Sequence, residues 1–372
     1  MFSDFYKNKK VLVLGHTGFK GAWLTQWLLE LGAIVAGISA YIPTQPSLYE
    51  VLNLKNKIKD YQVDIRDLDS LINCFSEFSP DIVFHLAAQS IVKTSYADPK
   101  NTFDTNLGGT VNIMEAIRQT DSVTTAIMIT SDKCYENVEW EYGYRENDKL
   151  GGKDPYSASK ACAEIAVHSY FESFFKETNK RIASVRAGNV IGGGDWAAYR
   201  IVPDCMRAWS TNASVTLRAP NATRPWQHVL EPLSGYLWLA ACLSEENGIG
   251  LNGEAFNFGP DVSVNFSVLK LIKDLATYWP NAHWTVDDKS FAVKEAGLLK
   301  LSCDKALHFL NWQATLTFIE TVQFTSEWYR EYYRAINPIA LTRKQIQSYT
   351  QLAEKRDQLW MSKAIRSSKA LV

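Results

Sequence analysis

Tyr156 and Lys160 stand four positions apart in the run YSASK. On a helix, that spacing places both side chains on one face. An ammonium beside a phenol favours the phenolate and draws its pKa down from an ordinary value of about 10 toward neutrality. The pair is a candidate base for the proton of a sugar hydroxyl. Upstream, the apolar run from Thr125 to Thr130 passes directly into Ser131, Asp132 and Lys133. Ser131 can hydrogen-bond the same hydroxyl as Tyr156. Asp132 and Lys133 supply an acid–base pair at adjacent positions. Either group alone has a plain explanation, since Y-x-x-x-K is often a surface pair and SDK often a polar turn.

Chemistry on a hydroxyl of this kind needs an electron acceptor, and the chain carries a loop fit to hold one. Gly15, Gly18 and Gly21 lie in GHTGFKG, directly after the apolar run KVLVL from Lys10 to Leu14. Glycines let the backbone turn sharply and approach a pyrophosphate. A helix predicted from Gly21 to Leu31 aims free amides and a positive dipole end at the phosphates. Trp23, Leu24, Trp27 and Leu28 give that helix its apolar face. Strand, loop, helix and a second strand from Ile34 to Ser39 follow in the order of a dinucleotide-binding unit. An acid is expected at the end of the second strand to hold a ribose hydroxyl. Here Ser39, Ala40 and Tyr41 occupy that place. NAD and NADP both stay open on this ground, and Lys20 could approach a 2′-phosphate.

The remaining elements must position these groups. Further buried strands are predicted from Asp81 to Leu86, Thr125 to Thr130 and Ala183 to Arg186, with a helix from Gly108 to Gln119. The alternation predicts an α/β fold: a doubly wound parallel sheet of Rossmann type, with ligands beyond the carboxyl ends of the strands. After about residue 195 the alternation fades, and arginine, tryptophan and proline become prominent. We expect a dinucleotide-binding domain over residues 1–190, with a return segment near 228–260. A second, smaller substrate-binding lobe would take residues 191–345, and residues 346–372 a helical tail, peripheral or solvated.

Composition narrows the function. The 372 residues are 46% hydrophobic and 21% charged, with a net charge of −1. That is an ordinary globular balance with no basic field for nucleic acid or an anionic membrane. Six scattered cysteines form no C-x-x-C pair and read as reduced thiols, so no metal site is expected. The polar N-terminus has no apolar signal core, and no run is long enough to span a membrane. The expected compartment is the cytoplasm. Any phosphate-bearing ligand must then be gripped locally. Arg224 and Arg218 are candidates, because a guanidinium can hold two phosphate oxygens at once. Asn189 and Arg207 are secondary, Glu295 is a weaker possibility at the nucleotide, and His228 reads as structural.

GHTGFKG, HLAAQS (residues 85–90), NLGGT (106–110) and YSASK together resemble the extended short-chain dehydrogenases/reductases. SDKCYEN (131–137), GGKDPYS (151–157), RAGNVIGGGDW (186–196) and RPWQHVLEPLSGYL (224–237) are more specific. They resemble the CDP-glucose 4,6-dehydratase family over about residues 7–335. One departure is local: the family's L-G-W reads Leu310, Asn311, Trp312 here. The resemblance implies that Gly15, Thr17, Gly18, Phe19, Lys20, Gly21, Asp64, Ile65, Leu86, Ala87, Ala88, Gln89, Asn106, Tyr156 and Lys160 line a bound dinucleotide. Gln89 would also meet the substrate.

It further implies an internal redox elimination that turns CDP-glucose into CDP-4-keto-6-deoxyglucose and water. Tyr156 would take the C4 hydroxyl proton, and Asp132 would protonate the leaving C6 hydroxyl. Related dTDP-sugar dehydratases carry a glutamate where this chain has Lys133, so Lys133 is either the C5 base or a stabiliser of the enolate. Such reactions supply deoxysugars for the O-antigen of lipopolysaccharide. The expected partners are the sugar nucleotide and a second copy of the chain, in a homodimer or higher homo-oligomer paired through the stretches near 107–120 and 157–176. An epimerase or plain dehydrogenase would keep Ser131, Tyr156 and Lys160 without needing an acid–base pair for water loss. A dehydratase for a GDP-, dTDP- or UDP-sugar is the nearer alternative. A non-catalytic dinucleotide sensor would have no reason to keep Tyr156 and Lys160.

Overall fold

Apolar runs with almost no polar interruption form strands only where both sheet faces are covered. The computed structural model, which describes residues 1–286 and 297–362, shows this in the first strand. β1 (Lys10–Leu14) sends Val11 and Val13 into one core layer with Trp23 and Trp27. Leu12 and Leu14 point into the other, with Phe75 and Ile113. β2 (Ile34–Ile38), β3 (Lys59–Tyr61), β4 (Ile82–His85), β5 (Thr125–Ile129) and β6 (Arg181–Arg186) follow. With β7 (Ala255–Asn257) they form a seven-stranded parallel sheet in the order β7-β6-β5-β4-β1-β2-β3. The order reverses between β1 and β4, whose loops part there and open a crevice for a ligand.

Four helices frame that crevice. α1 (Phe19–Glu30) begins two residues earlier than the sequence predicts. The Gly18 amide closes a turn onto the Gly15 carbonyl at 3.1 Å, so Gly18 becomes the extended cap and the helix starts at Phe19. Gly21 sits inside the first turn, where a Cβ would lie 2.1 Å from the Gly15 oxygen. α2 (Leu68–Phe78) is capped by Asp67, and α3 (Gly109–Gln119) runs beside α4 (Pro155–Tyr170). Asp154 caps α4 by accepting the Ser157 amide at 3.0 Å. Proline at the first helical position needs no partner for an amide it lacks.

Beyond β6 the chain builds the second lobe from short pieces. Val190–Ile191 pairs with Gln227–His228, Thr223–Arg224 with Phe266–Ser267, and Ser214–Leu217 with His283–Val286. α5 (Ile201–Ser210) packs among them. α6 (Leu230–Leu243) is buried along its whole length and leads to β7, which returns the chain to the sheet. Asn311 ends a short helix in the left-handed conformation, so the turn expected of L-G-W is kept without the glycine. α7 (Phe318–Tyr333) and α8 (Pro338–Lys355) complete the packing. The Tyr349 hydroxyl of α8 donates to Glu231 Oε2 at 3.0 Å, so this helix is docked on α6. Phe2 stacks on Trp360 at 5.1 Å, which ties the two ends of the described chain together.

Candidate active site

The loop between β1 and α1 has the shape a pyrophosphate needs. Gly15 adopts a φ of 86°, and a Cβ there would stand 2.7 Å from the Ala87 amide nitrogen. The loop thus presses against the residues after β4, bringing Leu86, Ala87 and Ala88 to its rim. The first amides of α1 have no acceptor within the helix and face the crevice beside Gly18. An acid on the third strand anchors the loop through its histidine. His16 Nε2 lies 2.6 Å from Asp60 Oδ1 on β3, and Nδ1 lies 3.0 Å from the Ser39 hydroxyl. Thr17 donates to the Tyr41 carbonyl at 2.8 Å.

Lys20 is placed away from that end. Its ammonium interacts with Asp132, Lys160 and Arg200, and burial holds it down at about 8. The sequence expectation that Lys20 could meet a 2′-phosphate is corrected: the first turn of α1 points it at the reaction groups. Asp64 is gripped by Arg66, with Oδ2 at 2.6 Å from the guanidinium, and Ile65 is buried against Gly109. Asn106 accepts the Gln89 amide at 2.8 Å and donates to the Ser159 hydroxyl at 2.9 Å. The Gln89 side chain turns to Thr102 at 3.0 Å and to the Ile91 amide at 2.6 Å, both within its own wall.

The SDK turn and α4 meet as their spacing predicts. The Ser131 hydroxyl lies close enough to the buried Tyr156 phenol to favour its ionised form, and it donates to Asp132 Oδ1 at 3.0 Å. Burial pushes Tyr156 up to about 12, against the pull of Ser131 and Arg200. Burial holds Lys160 down at about 8, with Glu164 resisting. Both pKa values are displaced by the dry interior, and each group can relieve the other once a ligand links them. Asp132 is 3% exposed, and its Oδ2 has no partner. Burial raises its pKa in spite of Lys133, Lys20 and Arg224. A carboxyl left unsatisfied in a cleft is a candidate proton donor.

Of the four candidates for the diphosphate, Arg224 is buried, and its charge reaches Asp132. Arg207 is held by Asp204 on its own helix and by the Trp196 carbonyl, ahead of that helix, at 2.6 Å. Arg218 is exposed near Asp204, and Asn189 marks a backbone kink at φ 44°. His228 is enclosed by Trp23 and Phe324, and burial pushes it down to about 3. Glu295 lies outside the described residues. Among the described residues, no group of His, Cys, Asp and Glu is placed to hold a metal ion, and no helix is long and apolar enough to cross a membrane.

Three groups in the site were not singled out from sequence. Gly188 in RAGNV leaves room for the Asp132 carboxylate: a Cβ there would stand 2.0 Å from Oδ2. Arg200 bridges Asp195 at 2.9 Å and the Ser90 hydroxyl at 3.3 Å, which fixes its charge beside Tyr156. The ion pair of Glu164 and Arg186 forms the floor beneath Lys160. Gly188 lay inside a recognised motif, while an acid eight positions after Tyr156 gives no sign of burial in the sequence alone.

Known proteins resemble this chain over nearly its full length. The family described as GDP-mannose 4,6 dehydratase matches residues 12–325. A CDP-glucose 4,6-dehydratase of Salmonella typhimurium is 43% identical over 93% of this chain and 97% of its own. An epimerase of Methanothermobacter thermautotrophicus superposes with a TM-score of 0.78 at 22% identity, covering 92% of this chain and 96% of its own. A UDP-glucose 4-epimerase of Thermus thermophilus, solved in complex with NAD, gives 0.74 at 25% identity over 86% of this chain and 99% of its own.

Proposed function

This chain belongs to the GDP-mannose 4,6 dehydratase family, and from that premise we propose that it is an NAD-dependent 4,6-dehydratase of CDP-glucose. The residues fit the dinucleotide. The cradle at Gly15, which a Cβ would fill, and the open amides of α1 suit a pyrophosphate. Thr17, Ala87 and Asn106 border the same crevice, and Lys160 lies where a nicotinamide ribose would meet Tyr156. Bound NAD supplies a hydride acceptor for C4 of the sugar and a hydride donor for C6.

The chain's own residues do the rest. Tyr156, oriented by Ser131, takes the proton of the C4 hydroxyl. The ketone left at C4 acidifies the C5 proton, and Lys133, beside Asp132, is the group placed either to take it as a neutral amine or, as an ammonium, to stabilise the enolate while another base takes it. Asp132 in its protonated form hands its proton to the C6 hydroxyl, which departs as water. Burial raises its pKa, which favours the protonated form. The observation that carries the reading is this unpartnered acid beside the Tyr156 base, because an epimerase or plain dehydrogenase expels no water. Arg224 is the residue that would hold the diphosphate.

Incubation with NAD and CDP-, dTDP-, GDP- or UDP-glucose, followed by mass spectrometry, tests the proposal. Loss of one water from CDP-glucose is expected. A product of unchanged mass would reassign the chain to epimerisation, and water loss from a different nucleotide would reassign the substrate. The same reading sets the reaction in the cytoplasm, on the route to O-antigen deoxysugars. It also pairs two copies through α3 and α4, where Ile165 stands 58% exposed while Ala161 and Phe171 belong to the core. Light scattering should then report a dimer or higher oligomer at micromolar concentration.

A further inference from the structure

Glu164 lies on α4 one helical turn beyond Lys160 and two beyond Tyr156. Its side chain and that of Arg186 are each 4% exposed. The carboxylate accepts bonds from Arg186 Nε at 3.0 Å, Arg186 Nη2 at 2.9 Å, the Ser184 hydroxyl at 2.8 Å and the Thr130 hydroxyl. Arg186 then donates through Nη1 to the Tyr135 hydroxyl at 2.7 Å and to the Glu146 carbonyl at 2.9 Å. Tyr135 passes the chain of bonds to Asn257 at 2.8 Å.

Thr130 immediately precedes the SDK turn, and Tyr135 follows it. Gly188, which makes space for Asp132, stands two residues after Arg186. One ion pair therefore ties β6 to the two segments that carry Ser131, Asp132, Lys133, Tyr156 and Lys160. Stability alone does not call for charges here, since well-packed apolar residues of the same volume often hold a core as firmly as a buried ion pair. What apolar side chains lack is a fixed negative charge beside Lys160.

We infer that Glu164 is a positioning residue for the reaction: anchored by Arg186, it keeps Lys160 charged beside Tyr156 and fixes the SDK turn against α4. Its kinetic consequences rest on the dehydratase reading; its effect on Tyr156 does not. Lys160 shares one face of α4 with Tyr156 and Glu164, and it is faced by Cys134 after β5, by Lys20 on α1 and by His85 at the end of β4. Asp132 faces Tyr156 and Lys20 from the SDK turn, and Arg200 reaches both. Among these, Glu164 is the chief group favouring the Lys160 ammonium. Removing its charge weakens that ammonium, and the Tyr156 phenolate then loses support. By this route the pKa of Tyr156 is expected to rise, whereas the bare removal of a negative charge would lower it.

The test uses the NAD-loaded protein. Tyr156 is titrated through its tyrosinate absorbance, with Tyr156→Phe as the blank. Glu164→Gln should raise that titration by about one pH unit and move the acidic limb of kcat/KM for CDP-glucose by the same amount. The turnover number at neutral pH should fall about tenfold, with KM unchanged within about threefold. Glu164→Leu combined with Arg186→Met removes both charges while keeping the volume. It should fold stably and still show the raised Tyr156 titration. A stable double variant that titrates like the wild type would overturn the inference, as would Glu164→Gln that loses stability without moving the titration. The spectral titration needs no sugar nucleotide, so failure of CDP-glucose as substrate leaves it readable.

Discussion

Two buried carboxylates serve the Tyr156–Lys160 helix, Glu164 from the helix itself and Asp132 from the SDK turn, and their surroundings differ in kind. On the floor, Glu164 accepts donors from Arg186, Ser184 and Thr130. On the open side, Asp132 has one oxygen bonded to Ser131 and the other without a partner. Burial works to raise both pKa values. At Glu164 it loses to Arg186 and the hydrogen bonds, and the group stays ionised. At Asp132 burial wins, and the pKa is raised. Equal burial with unequal bonding thus separates a carboxylate that builds the site from one that can act in it.

The sharpest way to break this contrast is to neutralise each carboxylate in turn. Asp132→Asn removes a proton donor but no needed hydrogen bond. We expect its turnover number to fall about 10²- to 10⁴-fold, while the melting temperature rises. Glu164→Gln leaves Arg186 buried without its partner. Urea unfolding should show a loss of about 3–5 kcal/mol in stability. If Asp132→Asn lowers stability as Glu164→Gln does, Asp132 is part of the frame and the contrast fails.

A smaller change acts on one side alone. Gly188→Ala places a methyl where Asp132 Oδ2 now lies. The Asp132 carboxyl must turn away, and we expect about a tenfold to hundredfold loss of turnover, since a misplaced group forfeits alignment. The Tyr156 titration should fall slightly, because Asp132, which raises it, has turned away while Glu164 and Lys160 are untouched. A rise in that titration would show that the floor and the Asp132 side are one mechanical unit.

The comparison also shows what a sequence can reveal. Continuous apolar runs announced β1, β4 and β5, and glycine spacing announced the loop, because burial on both faces and close backbone approach leave few residue choices. The Tyr156–Lys160 spacing and the SDK turn were legible because adjacency along a helix or turn is written directly in the chain. Glu164 and Arg186 were not, because their pairing joins a helix to a strand, and an acid on a helix is ordinarily exposed. The start of α1 was misjudged for a similar reason: the bond from Gly18 to the Gly15 carbonyl depends on a turn geometry that three glycines leave free. Lys20 was aimed at the wrong end of the crevice because its direction follows from where that helix starts.

The finest test is the pH dependence of stability, where the two carboxylates should give opposite slopes. Glu164 is lowered in the fold below its ordinary value of 4.5. Its contribution is complete above that value and is lost as pH falls through the lower folded value. Asp132 is raised above its ordinary value of 3.8. Its contribution is complete below that value and is lost as pH rises through the higher folded value. Each unit of displacement is worth roughly 1 kcal/mol. Urea unfolding of both variants and the wild type should therefore diverge in two directions. The advantage of Asp132→Asn over the wild type should be largest at neutral pH and vanish in acid. The deficit of Glu164→Gln should also be largest at neutral pH and shrink in acid, as the wild-type carboxylate itself becomes protonated. Parallel curves of the same sign would mean that both groups are satisfied alike, and the raised pKa at Asp132 would lose its physical basis.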